Sequence, residues 1–267
     1  MKSSAYQRAE MPTGTAAVLD ERSLESSNAN LLPVLKEGQR VLDVGCGSGA
    51  ITEGIAKKVG EKGWVLGVDR SPELIDLAKN KFGHIPNLAF DQTDILDYHT
   101  DLRFDIITTA RTLQWIANPL PVIGKMITLL KPGGLLCVLD YNHNLIEWKP
   151  QPPQSMLFFY EQFLRWRSDS GMDNNIGDHI GEILKEQKMT INIIQDQSEY
   201  SEHGAAGFPT HIAIWTKVAE IRGNQLIRDG YLTEEQRQNA MNEYTKWSQT
   251  NARSMKLNLK ATHATRI

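Results

Sequence analysis

Val41-Leu42-Asp43-Val44-Gly45-Cys46-Gly47-Ser48-Gly49 is a short apolar run that ends in three alternating glycines, just before a helical pattern from Ala50 to Val59. Glycine accepts positive φ and carries no Cβ, so a small molecule can lie directly over such a turn. The spacing Gly45, Gly47, Ala50 also satisfies the loose GxGxx(G/A) dinucleotide fingerprint. Glycine spacing alone therefore leaves the cofactor open.

Outward from this turn, residues 40–141 alternate apolar runs with helical patterns, as a parallel sheet with crossover helices requires. Strands are predicted at Arg40–Val44, Trp64–Asp69, Asn87–Phe90, Phe104–Thr109 and Leu135–Asp140. Ser71-Pro72-Glu73 supplies a cap, a first-turn proline and an acid to open the second helix, and Pro132-Gly133-Gly134 closes a later one. Asp69 ends the second strand roughly 20 residues past the glycines, where a carboxylate can accept both hydroxyls of an adenosine ribose. Asp94 follows the third strand, in reach of an adenine amino group.

Beyond Tyr141 the pattern changes. Pro150, Pro152 and Pro153 interrupt the chain, and helices are predicted at Ser155–Arg167, Ile176–Lys188, Pro209–Arg228 and Thr233–Thr250. Strands are predicted at Thr190–Gln195 and Met255–Lys260. Residues before Arg40 read as helical but poorly patterned.

The chain has 267 residues, 40% hydrophobic and 23% charged, with a formal net charge of −3. That composition suits a globular enzyme or binding domain and gives no global basic field for nucleic acid. Cys46 and Cys137 are too few for a disulfide framework and lack metal-binding spacing. No apolar run is long enough to span a membrane, and MKSSAYQRAE has no signal-peptide core. A cytoplasmic protein with reduced thiols is expected. His179, His203 and His211 are irregularly spaced, so no metal site is expected.

Together VLDVGCGSG (41–49), GVDRSPELIDLAK (67–79), TDILD (93–97), FDIITTARTLQW (104–115) and LKPGG (130–134) resemble the class I S-adenosylmethionine-dependent methyltransferases. The resemblance is to the small-molecule group that includes the ubiquinone/menaquinone-biosynthesis type. It implies an α/β fold: a Rossmann-like, seven-stranded, mostly parallel sheet flanked by helices, with an antiparallel C-terminal strand. Residues 1–267 would form one domain, with an N-terminal helical cap over 1–37 and helical lid insertions at 145–175 and 208–251.

By position, the resemblance implies that Gly45, Gly47 and Gly49 line the methionine moiety of S-adenosyl-L-methionine above Asp43, with Cys46 and Ser48 as the variable loop positions. Asp69 would hold the ribose and Arg70 flank the adenine. Thr93, Asp94 and Ile95 would read the adenine edge, and Ala110 and Arg111 would border the amino-acid end.

His143 and Tyr141, after the fifth strand, are the candidate catalytic residues, with His143 a general base if the acceptor must lose a proton. The aromatic stripe of the Ser155–Arg167 helix reads first as core packing against the sheet; on the other reading, in which that helix is a lid, Trp115, Tyr160 and Trp166 are the candidate acceptor-binding residues, joined by Trp215 and Tyr6. Their aromatic faces would suit a cationic acceptor or the sulfonium. The expected partner is a small-molecule methyl acceptor, without nucleic acid or membrane. An NAD-dependent oxidoreductase, a non-enzymatic S-adenosylmethionine-binding protein and a macromolecular methyltransferase are the alternatives.

Overall fold

The computed structural model describes residues 4–12 and 19–267. Eight strands form one sheet: β1 (Arg40–Val44), β2 (Trp64–Asp69), β3 (Leu88–Gln92), β4 (Phe104–Ala110), β5 (Leu130–Lys149), β6 (Met189–Asp196), β7 (Glu199–Glu202) and β8 (Ser254–Arg266). Seven follow the order β3-β2-β1-β4-β5-β8-β6, and the short β7 pairs with β8 off that path. The first five are parallel, whereas β8 runs antiparallel to β5, β6 and β7. This is the expected Rossmann-like sheet, with β7 added.

Local chemistry sets the βα junctions. The helix Ala50–Val59 starts at Gly49, whose φ is +80°. A Cβ there would stand 2.7 Å from the Phe90 ring, so the residue lets the turn close against β3. Ser71 accepts a hydrogen bond from the Leu74 amide and Pro72 opens the helix Pro72–Phe82, as the sequence indicates. Apolar side chains cover both faces of the sheet. Leu42, Ile107 and Leu136 pack with Ile123 and Ile180 on one face; Val41, Val65 and Ile106 pack with Ile55 and Ile75 on the other.

The fifth and last strands are longer than predicted. β5 begins at Leu130, takes a register shift across Lys131-Pro132-Gly133-Gly134, and continues past Asp140 to Lys149. It does so because β8 stays paired with it through Tyr141↔Leu259 and Asn142↔Asn258, then through Trp148↔Met255 and Lys149↔Ser254. Tyr141 and His143 therefore lie within the β5 span and not in a loop after it. The predicted Pro209–Arg228 helix is divided at Ala213 into Phe208–Ile212 and Ile214–Arg228.

The extended β5 and β8 arms carry Trp148 and Met255 into a second apolar core, with the helices Gln154–Ser168, Ile214–Arg228 and Glu234–Thr250. Trp166 is fully buried there, and its Nε1–H donates to Asp229 Oδ2 at 2.7 Å. The Tyr160 hydroxyl donates to the His143 carbonyl. Both rings were expected at an acceptor pocket; the structure places them in this core, because their polar atoms are spent on internal partners. Of the expected 1–37 cap, residues 1–3 and 13–18 lie outside the described residues. The rest includes the short helices Ala5–Arg8 and Leu24–Ser27.

Trp166→Phe is expected to lower stability by roughly 1.5–3 kcal/mol, the value of a hydrogen bond to a charged group. Denaturant unfolding measures that loss, and ligand affinity should stay unchanged.

Candidate functional site

A cavity of about 860 Å³ opens at the C-terminal ends of β1, β2 and β4 and beside the middle of β5. That places it where ligands bind in open α/β sheets, toward the upper end of the roughly 300–1,000 Å³ common for small-molecule sites. Its wall includes Asp43, Gly45, Cys46, Gly47, Ser48, Asp69, Arg70, Thr93, Asp94, Ile95, Ala110, Arg111, Trp115, Tyr141 and His143. Gly49, Tyr160 and Trp166 do not reach it: Gly49 is turned onto Phe90, and the two rings belong to the helical core.

At one end the turn after β1 meets the end of β2. Gly47, with φ +56°, donates its amide to Asp69 Oδ2 at 3.0 Å, while Asp69 Oδ1 accepts from the Ser71 amide at 2.9 Å. The Thr93 amide donates to the Asp69 carbonyl at 3.0 Å, so the β3 end is tied to the same point. Burial raises the Asp69 pKa against the pull of those amides. Asp43 is buried beneath the turn and accepts from the Thr52 hydroxyl at 2.7 Å. Burial pushes its carboxyl up to about 6, with Asp69 adding to the effect. A cation arriving above Asp43 would favour its ionised form. Arg70 stacks over the Tyr6 ring at 4.2 Å and donates to the Tyr6 carbonyl at 3.1 Å.

The other end is built around Gln114, which the sequence reading did not single out. Its amide donates to Asp140 Oδ2 at 3.1 Å, its carbonyl accepts from Arg167 Nη2 at 2.8 Å, and its side-chain Nε2 donates to the Arg111 carbonyl at 3.0 Å. Gln114 Oε1 is thereby aimed at His143 Nε2, 2.6 Å away. An amide oxygen only accepts, so Nε2 carries the proton and Nδ1 holds the free lone pair. Burial, then Arg167, pushes His143 well below the ordinary histidine value, so the ring is neutral at pH 7. It stacks on Tyr141 at 5.0 Å and meets Phe163 edge-on.

Arg111 has φ +59°, an uncommon conformation for a long side chain. The guanidinium donates to the Tyr141 hydroxyl at 3.1 Å and the Ser27 carbonyl at 2.8 Å, and it pairs with Glu199. Burial alone would lower its pKa, but Tyr141 and Glu199 hold it above the usual value. Burial also keeps Tyr141 a neutral phenol.

Arg22 and Arg222 also line the cavity and escaped the sequence reading. Arg22 stands in the weakly patterned N-terminal stretch, and Arg222 reads as an ordinary solvent-facing charge on a helix. Among the described residues, the Arg22 guanidinium has neither a hydrogen-bond nor an ion-pair partner. Its pKa is lowered by burial and then by Arg111. The histidines set aside from metal binding are dispersed: His179 faces Asp173 at 2.6 Å and His203 packs edge-on against Phe208.

Residues 35–253 match a family described as a methyltransferase domain. The chain belongs to that family. It is 36% identical to a probable methyltransferase, ltbC, of Aspergillus luteorubrus over 138 residues, covering 47% of this chain and 48% of that protein. It is 40% identical to a ubiquinone biosynthesis O-methyltransferase of Coxiella burnetii over 110 residues, covering 40% of this chain and 46% of that protein. The matched stretch thus spans about half the length of these relatives. A SAM-dependent methyltransferase from Aquifex aeolicus superposes with a TM-score of 0.55 at 18% identity, covering 97% of this chain and all of that one, which shows a shared fold. No described helix is long and apolar enough to cross a membrane.

Gly47→Val is expected to leave the protein folded and abolish S-adenosylhomocysteine binding, because its branched side chain would occupy the cavity at a backbone that disfavours β-branching. Calorimetry on the folded variant tests this, and unchanged affinity would refute it.

Proposed function

We propose that this methyltransferase-family chain transfers a methyl group from S-adenosyl-L-methionine to a small or medium-sized organic acceptor. The supporting observation is one cavity lined both by the glycine turn and Asp69 and by His143, Tyr141 and Trp115. The residues fit the cofactor. Gly47 presents bare backbone to the cavity, and a Cβ there would crowd Leu19 Cδ1 at 3.0 Å. Asp69 retains lone pairs for ribose hydroxyls beyond its two amide partners. Asp94 and the Ile95 backbone serve the adenine edge, and Asp43 the amino group of the methionine portion. Arg22, whose guanidinium has no hydrogen-bond or ion-pair partner among the described residues, serves its carboxylate. When bound, the cofactor supplies a methyl activated by its sulfonium.

The chain's own contribution is alignment and dryness. Holding the acceptor in line can contribute about 7–11 kcal/mol in favourable cases. Where the acceptor atom is a hydroxyl, His143 takes its proton at Nδ1, and Gln114 maintains the tautomer by receiving Nε2–H. Tyr141, held as a phenol, orients the ring by stacking and bears no charge in the reaction. The helical insertions at 145–175 and 208–251 serve as the lid. Cys46 and Cys137 are both free thiols, which suits a reducing, cytoplasmic setting.

Methyl-labelled cofactor incubated with cell extract, with the product identified by mass spectrometry, tests turnover and reveals the acceptor; no transfer would sink the reading. Arg22→Gln is expected to weaken S-adenosylhomocysteine binding about tenfold while leaving 5′-methylthioadenosine, which has no carboxylate, unaffected. With a hydroxyl acceptor, His143→Gln should lower kcat by roughly 10²–10⁴. The wild-type acid limb should lie below pH 6.5, because protonation removes the base only beneath its lowered pKa. Equal kcat across pH would exclude His143 from proton transfer.

A further inference from the structure

The cavity wall carries both signs of charge: the acids Glu10, Asp43, Asp69, Glu73 and Asp94 and the cations Arg22, Arg70, Arg111 and Arg222. Arg70 lies beside Asp69 and stacks on Tyr6. Arg111 is matched by Glu199. On the functional reading above, Arg22 meets the single carboxylate of the cofactor. That leaves Arg222.

Arg222 lies on the helix Ile214–Arg228 and is only 5% exposed. Nη1 donates to the carbonyls of Arg8 and Glu10, at 3.1 and 2.6 Å, and to Gln225 Oε1 at 3.1 Å; Nη2 meets only the Met11 sulfur, at 3.2 Å. These contacts fix the guanidinium without neutralising it. Among the described residues it has no carboxylate partner, and its Nε makes no hydrogen bond. Burial, then Arg167 and Arg70, press its pKa down to about 9, the mark of a cation short of a counter-charge. Burying such a charge unpaired is costly, and an arriving anion recovers that cost.

The surroundings describe the rest of the ligand. Ile214, Val218 and Ile221 line the cavity from the same helix, at spacings that put them on one face with Arg222. Trp115 lies beneath two guanidiniums, Arg222 at 4.3 Å and Arg167 at 4.7 Å. Its ring is already engaged by cations, and a cationic acceptor would face both charges. The expectation of a cationic acceptor, drawn from the aromatic residues alone, therefore loses its footing at this wall.

We propose that the methyl acceptor is an organic anion with an apolar body, its carboxylate paired with Arg222 and its body laid along Ile214, Val218 and Ile221. The carboxylate is the handle that orients the acceptor. This rests on the methyl-transfer reading, and its test is separable from that reading.

The probes are 4-hydroxybenzoate and 6-hydroxy-2-naphthoate, each paired with its primary amide, titrated calorimetrically into the full chain with and without S-adenosylhomocysteine. Each acid is expected to bind about tenfold more tightly than its amide, as one charge-assisted pair allows. Arg222→Met should erase that preference and keep S-adenosylhomocysteine affinity; Arg222→Lys should restore part of it. Equal binding of acids and amides by the wild-type protein, no binding of either acid, or an acid preference that survives Arg222→Met in a folded protein would overturn the proposal. The wild-type comparison decides the matter even if a variant fails to fold. Failure of S-adenosylhomocysteine to bind would count against the cofactor assignment instead, since the acid preference is also read without it.

Discussion

The antiparallel pairing of β5 with β8 is the constraint on which both halves of the molecule depend. Over Leu135–Asn142 it closes the sheet beside β4, and over Glu147–Lys149 it projects two strands into the helical layer. One pairing thus supports the cavity floor and anchors its roof. Tyr141 is paired with Leu259, whereas His143 falls where the ladder breaks between Asn142 and Glu147; its amide donates to the Asn174 carbonyl at 2.8 Å, its carbonyl accepts from the Tyr160 hydroxyl, and both rings are held by aromatic packing. Sites borne on strands are held more precisely than those on loops. A histidine whose backbone amide and carbonyl are both engaged needs no ligand to find its place.

The cofactor half was legible in the sequence because it is built from local chemistry. Glycines at a strand end, an acid at the next strand end and a capped proline helix are readable within a βαβ unit, and Gly45, Gly47, Asp69 and Asp94 all reach the cavity. Gly49 shares their spacing, but its missing Cβ makes room for Phe90 on a strand more than 40 residues away, so no local reading distinguishes its duty. The half around Tyr141 and His143 depends on long-range pairing. The length of β5 is set by β8, more than 100 residues later, and Tyr160 and Trp166 look like pocket aromatics until Asp229 and the His143 carbonyl claim their polar atoms. A stripe of aromatic residues marks a buried helical face without saying what it is buried against.

Gln114 shows how a site gains rigidity from an unremarkable residue. It lies inside the quoted FDIITTARTLQW block, yet nothing in its type predicts that four polar groups converge on it. The same convergence joins Arg111, Asp140, Arg167 and His143 into one network, where low dielectric strengthens each satisfied bond and penalises each lost one. Burial raises Asp140 to about 6, so the network carries a carboxylate whose ionisation depends on its neighbours staying in position.

The first described residues cross over the cavity and are fastened at both margins. Tyr6 leans on Arg70 beside the β2 end, Arg8 forms a buried ion pair with Asp229, and Arg222 grips the carbonyls of Arg8 and Glu10. Arg8 is also stacked on the Trp166 and Tyr231 rings of the helical core, so peeling this segment back would uncover those rings and take the Arg8 cation from the buried Asp229 carboxylate. Opening of the strap is therefore coupled to the integrity of the helical layer.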